Sequence, residues 1–345
     1  MGAFLGLLLH AIGGLAAGSF YIPFKLIKKW KWETSWLILG FAAWVFAPLI
    51  MAWLTVPNLF EVLGAASFEV KFYTFLFGIL WGIGALTFGL SMRYLGIGLG
   101  MAVALGFTAA FGTLIPPIYN GTFSSLIATN GGKVVLLGVI VSLIGIAIAG
   151  KAGMLKEKDL DDKQQQEAVA EFNLSKGLII ATISGILSAC FAFGLAAGKP
   201  IAEEAVKLGT DNLFQNNPVI VWILWGGFLT NFIWTMILSF KNKTFKDFTD
   251  KTIKNKKKNY LLAIAGGVTW YFQFFFYGMG TTFLGKEYEF ASWTLHMAFI
   301  IIFSTLWGLY FKEWKGVSKK TMHTLWLGLA VIIFSTILIG IGNNI

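Results

Sequence analysis

The sequence predicts an all-α integral membrane protein of ten transmembrane helices, arranged as two inverted five-helix repeats. Three observations predict it. The 345-residue chain is 57% hydrophobic and only 13% charged, where a soluble domain carries about 25% charged residues. Runs of about 20 apolar residues, each long enough to cross a hydrocarbon core of about 30 Å, recur along its length. One longer polar segment, Lys151 to Lys176, divides these runs five and five, and an odd number of spans per half turns the second half over. A soluble enzyme, a DNA-binding domain and a disordered chain are excluded. So is a β-barrel, whose strands would alternate in segments of about ten residues.

The spans fall at about 2–24, 35–56, 72–92, 94–118, 133–150, 177–197, 218–240, 260–283, 290–311 and 322–342. The first is a span rather than a signal peptide, because no basic residue precedes it and its apolar stretch is too long for a signal core. Lys25, Lys28, Lys29 and Lys31 separate spans one and two, and Arg93 stands between three and four. The segment after span five centres on KEKDLDDKQQQEAVAE, polar and rich in helix formers, and reads as a solvated linker. This gives a first repeat at 1–150, a cytoplasmic linker at 151–176 and a second repeat at 177–345. Eight lysines lie in 241–258, between spans seven and eight, and four in 312–320, between nine and ten.

The net charge of +10 resides in these connections, so it marks a membrane side rather than a nucleic-acid surface. Connections after odd-numbered spans hold 22 of the 27 basic residues. Basic residues are retained in the cytoplasm, which places both termini outside. The single cysteine, Cys190, lies within an apolar run and excludes an intrachain disulfide.

The halves echo one another. Trp81, Phe88-Gly89 and Tyr94-Leu95-Gly96 return as Trp270, Tyr277-Gly278 and Phe283-Leu284-Gly285, at a constant offset of 189. Met101-Ala102, Phe107-Thr108 and Gly112 return as Met297-Ala298, Phe303-Ser304 and Gly308 at 196, and Gly14 and Phe20 as Gly185 and Phe191 at 171. Inverted repeats of this kind are a feature of secondary transporters, with the binding site near the midplane.

Polar groups at mid-span are costly in lipid, which makes them functional candidates. No acid sits at the centre of any span. Glu289, Ser292, Trp293 and His296 share one helical face, with Glu289 at the outer mouth and His296 about 10 Å deeper. His10 lies at a similar depth in span one. Because histidine titrates near neutral pH, Glu289 and His296 are the expected proton-coupling groups. Trp270, Gln273 and Tyr277 stand at i, i+3 and i+7 of span eight. Aromatic faces pack on the C–H surfaces of a sugar while an amide bonds its hydroxyls, so these three are expected to bind substrate. Trp293, Asn231, Trp81, Thr108 and His10 complete the expected binding set. No metal-ligand cluster occurs, and glycines such as Gly96, Gly98 and Gly100 suit close helix packing rather than a phosphate loop.

The segments GSFYIPFKLIKKWKWETSW (18–36), LWGIG with SMRYLGIGLGM (80–101), WYFQFFFYGMG (270–280), SWTLHM (292–297) and KEW (312–314) resemble the bacterial L-rhamnose–proton symporters. That family belongs to the drug/metabolite transporter superfamily. The resemblance runs nearly end to end. It implies import of a 6-deoxyhexose with protons across the bacterial inner membrane, with sugar, protons and membrane lipid as partners. No cofactor is expected, the proton gradient being the energy source. Glu289 corresponds to an aspartate in the family, and at Ala85, Thr87 and Phe88 the family's span is more polar. The competing readings are a metabolite or drug exporter of the same superfamily and a membrane-embedded enzyme. The scattered histidines 10, 296 and 323, with no central acid, argue against the enzyme.

Overall fold

A computed structural model of the chain describes residues 2–95, 97–119, 121–159, 173–250, 253, 255–284 and 291–345. Every regular element among the described residues is helical, as hydrocarbon demands of a chain that must satisfy its backbone hydrogen bonds internally. The long helices are α1 (Gly2–Ser19), α2 (Trp32–Gly40 and Ala47–Thr55, joined by a π-helical turn at Phe41–Phe46), α3 (Phe68–Leu95), α4 (Ile97–Tyr119), α5 (Asn130–Asp159), α6 (Leu174–Ala197), α7 (Asn217–Asn242), α8 (Lys256–Thr281), α9 (Ser292–Tyr310) and α10 (Lys319–Gly342). Nine helical stretches among the described residues are long and apolar enough to cross a membrane. Val103–Tyr119, within α4, is a shorter apolar one.

Two features depart from the sequence expectation. Helix α5 continues nine residues past its expected end at 150, to Asp159, so the first part of the expected linker is helix. Its residues favour helix, and Lys156 and Lys158 in the last turn oppose the negative end of the helix dipole. Helix α2 widens at Phe41–Phe46, which ends two residues before Pro48. Proline offers no N–H to the fourth residue back and crowds its carbonyl, which here is Trp44, inside the widened turn. Short helices at Leu59–Ala65, Phe123–Ala128 and Lys199–Lys207 occupy connections between the expected spans.

Most of the strong packing joins the two halves of the chain. Helix α5 pairs with α10, α2 with α7, α1 lies against α8 and α9, and α6 lies against α3 and α4. Missing side chains bring backbones together at these crossings. A Cβ on Gly267 would stand 2.6 Å from the Leu39 carbonyl oxygen, and one on Gly78 would run into the Ile223 carbonyl. Trp53, Leu54, Ile140, Ile237 and Phe334 are exposed on the outside, where lipid tails would cover them.

Polar contacts between connections sort to two ends. At the lysine-rich end, Asn242 Nδ2 donates to Glu33 Oε1 (2.8 Å), and the Lys31 N–H and Thr34 Oγ1 both donate to the buried Asp247 (2.9 Å each). The Ser318 N–H and Thr321 Oγ1 donate to Asp159, and Lys25 pairs with Glu313 at 3.0 Å. At the opposite end, Asn217 Nδ2 donates to Thr55 Oγ1, and Asn216 Nδ2 to the Gly278 carbonyl and Thr281 Oγ1.

Candidate functional site

The centre of the molecule is a continuous chain of aromatic rings from both halves. Phe20 stacks on Trp270 with ring centres 4.4 Å apart, and Trp270 meets Trp36 and Trp44 at 5.2 and 5.1 Å. Trp44 is edge-on to Trp81, which contacts Phe191 and Phe274. Phe191 stacks on Trp293 at 5.6 Å and reaches Tyr277. The chain ends at two histidines. Tyr277 lies 5.0 Å from His296 and 5.5 Å from His10, and the two imidazole centres are 6.4 Å apart.

The neighbouring helices position these groups. The Trp293 Nε1–H donates to the Thr108 carbonyl of α4 at 3.0 Å, and Thr113 and Thr294 share a buried hydrogen bond at 2.6 Å one turn away. A Cβ on Gly112 would fall 2.6 Å from Trp293 Nε1, so the indole depends on that glycine. His10 lies on Gly280, where a Cβ would stand 3.0 Å from the imidazole, and His296 lies beside Gly13 at 3.4 Å.

The expected site residues therefore divide. His10, His296, Tyr277 and Trp293 come together, with Trp81 joined to them through Phe191. Trp270 and Tyr277, expected on one binding face, sit in different parts of the ring chain. A helix turn of 3.6 residues leaves positions i and i+7 far enough apart along the axis to touch different neighbours. Gln273 is 5% exposed and its Nε2 has no partner among the described residues. Asn231 is occupied: its carbonyl accepts from Trp36 Nε1 at 3.2 Å and its Nδ2 donates to the Gly227 carbonyl at 2.9 Å. The Thr108 hydroxyl turns back to the Ala104 carbonyl of its own helix, and the residue meets the site through its backbone. Glu289, within 285–290, lies outside the described residues, as do Asn120 and 160–172.

Sequence reasoning missed Trp44, Phe274 and Phe191 as site residues. Phe191 was legible as the echo of Phe20; the others needed the packing. The arrangement provides aromatic faces beside buried amide and imidazole groups that have no partner among the described residues, which suits a small solute with both C–H and hydroxyl surface.

A family model described as the L-rhamnose-proton symport protein matches residues 2–344. The L-rhamnose-proton symporters of Escherichia coli (strain K12 / DH10B) and Shigella dysenteriae serotype 1 (strain Sd197) are each 40% identical over 340 residues, covering 98% of this chain and 97% of theirs. The chain belongs to the L-rhamnose–proton symport protein family. It is accordingly a membrane transporter and not an enzyme.

Proposed function

We propose that this chain imports L-rhamnose together with protons across the bacterial inner membrane, by alternating access between two inverted five-helix halves. The observation that carries the reading is the end-to-end match to curated L-rhamnose-proton symporters. An exporter of the same superfamily is not favoured by those relatives.

Inverted halves are supported by residue pairs that recur when the halves are exchanged. At the offsets of 171 and 189 read from the sequence, Phe20 on Trp270 becomes Phe191 on Trp81, and both pairs are in contact. The close approach of Gly267 to the Leu39 carbonyl recurs as that of Gly78 to the Ile223 carbonyl. Gly138 packs on Ile339 and Gly145 on Ile332, so α5 and α10 run antiparallel, as two helices related by an inversion of the halves would. Ten spans with both termini outside are supported by the polar contacts at the helix ends. These contacts join only connections expected on the same side, and the lysine-rich end is the cytoplasmic one by the retention of positive charge.

In this reading Trp270, Gln273, Tyr277, Trp293, Trp81 and His10 contact the sugar. Asn231 and Thr108 act behind them, holding Trp36 and Trp293. Glu289 and His296 couple the proton, with the gradient as the only energy source. Uptake of radiolabelled L-rhamnose by proteoliposomes, with and without an inward proton gradient, tests the reading. Accumulation above equilibrium only with the gradient supports it, and equilibration unaffected by the gradient overturns it.

A further inference from the structure

Two buried imidazoles meet where α1, α8 and α9 converge, and among the described residues no protein group bonds to either. His10 and His296 are 0% and 1% exposed, and all four of their ring nitrogens lack a hydrogen-bond partner among the described residues. Buried polar groups are nearly always partnered, and each exception requires an explanation. Packing alone does not supply one. Two polar rings have been inserted against glycines, where an apolar side chain would fill the same space without stranding four nitrogens.

The spacing limits what can join them. A ring nitrogen lies about 1.2 Å from its ring centre, so with centres 6.4 Å apart no two nitrogens come closer than about 4 Å. That is beyond a direct hydrogen bond of about 3 Å, yet one oxygen atom can reach both rings. The titratable group facing the pair from α8 is Tyr277. Helices α1 and α9 present only the two histidines at this level. Among the described residues, α4 carries no acid or base apart from Tyr119 at its exposed end. Helices α5 and α10 keep their ionisable groups at their ends, Lys133, Lys151 to Asp159, and Lys319, Lys320 and His323.

We infer that His10 and His296 form one cradle for a single sugar hydroxyl, and that the transported proton resides in the same cradle. The inference deepens the sugar–proton reading above and rests on it. A hydroxyl both accepts and donates. It accepts an N–H from one imidazole and gives its own hydrogen to the lone pair of the other. A proton added to the donating ring makes an imidazolium and breaks no bond, while the contact to the hydroxyl becomes charge-assisted and about twice as strong. Sugar and proton then raise each other's affinity by one common factor, about tenfold for a neutral bond made ionic. Glu289 has a narrower part here, as a group through which the proton reaches the pair.

Calorimetry of L-rhamnose binding to the full-length protein, in two buffers of different ionisation heat, counts the protons taken up with the sugar. His10→Gln and His296→Gln retain an amide that can bridge a hydroxyl. The double variant carrying both is expected to lose the linked proton uptake and the pH dependence of affinity, because one imidazole left beside an amide can still carry the proton. His323→Gln, remote on α10, is expected to keep both. Linked uptake that survives in the folded double variant overturns the inference. Nitrogen-15 spectra of the imidazoles, without sugar, decide the pair separately. His10 and His296 are expected to titrate in two separated steps that collapse to one when either is replaced. Two rings that titrate independently of each other overturn the pair even if the sugar reading holds. Failure of the folded, unaltered protein to bind L-rhamnose overturns the sugar reading instead.

Discussion

The Trp293 indole donates its N–H to the Thr108 carbonyl at 3.0 Å, across a gap that exists because residue 112 has no side chain. Gly112→Ala is therefore expected to push the indole toward Phe191 and Tyr277. The overpacking costs about 1–3 kcal/mol of stability, and L-rhamnose transport falls with it. Gly106→Ala, on the same helix with open space at its Cβ, is the control and is expected to be neutral or slightly stabilising. Thermal unfolding and proteoliposome uptake of the two variants check this; equal behaviour would show that Gly112 does not set the indole's position.

Gln273 holds its Nε2 in a buried position with no protein acceptor among the described residues. Gln273→Ala is expected to leave the sugar-free protein's stability nearly unchanged, since no Nε2 bond is lost. Sugar affinity is expected to drop by about 1–3 kcal/mol, the usual cost of losing one partner of a buried hydrogen bond. Calorimetric titration with L-rhamnose separates the two effects, and an unchanged affinity would assign the amide to packing.

Asn231 gives the opposite expectation. Both ends of its amide are satisfied, by Trp36 and by the Gly227 carbonyl, so Asn231→Leu is expected to cost about 1–3 kcal/mol of stability by stranding Trp36 Nε1. The affinity of the remaining folded fraction for sugar is expected to stay the same. A selective loss of sugar binding, with stability intact, would place Asn231 in contact with substrate.

Glu289→Gln fixes the side chain in the form of a protonated acid. Sugar binding and exchange are expected to persist while gradient-driven accumulation is lost, because coupling requires a group that changes protonation during the cycle. Counterflow and accumulation assays on the same proteoliposomes check it. Accumulation by both Glu289→Gln and His296→Gln would move the coupling elsewhere.

The orientation is checked by reporter fusions at Ile345. An alkaline phosphatase fusion is expected to be active and a cytoplasmic reporter silent. The reverse result would invert the membrane sides assigned to Glu289 and to the lysine-rich connections.

Much of this was legible in the chain before any coordinates. The helices follow from hydrophobic runs, because the bilayer converts length and polarity directly into spans. The offsets visible between the halves relate the contact of Phe20 with Trp270 to that of Phe191 with Trp81, although only packing shows that either pair meets. What the sequence hid depended on partners far away in the chain. Lys151 to Asp159 read as solvated linker, yet the segment extends α5 and its last carboxylate accepts from Ser318 and Thr321 beside α10. His10 and His296 could be placed at a similar depth, but only packing set them beside each other. Asn231 looked like a stranded amide because its partner, Trp36, belongs to another helix.

Trp36 and Trp44 are eight residues apart, yet both indoles rest on Trp270. In a regular helix that interval is 2.2 turns and would splay the two rings by about 80°. The wide turn at Phe41–Phe46 absorbs an additional residue within the same rotation and brings them back into line. What this stretch holds constant is a reading frame rather than a composition. Removing Ala42 or Ala43 from it would leave every aromatic ring in the sequence. It would also rotate one half of α2 by about 100° against α7 and α8, re-indexing every contact on that half.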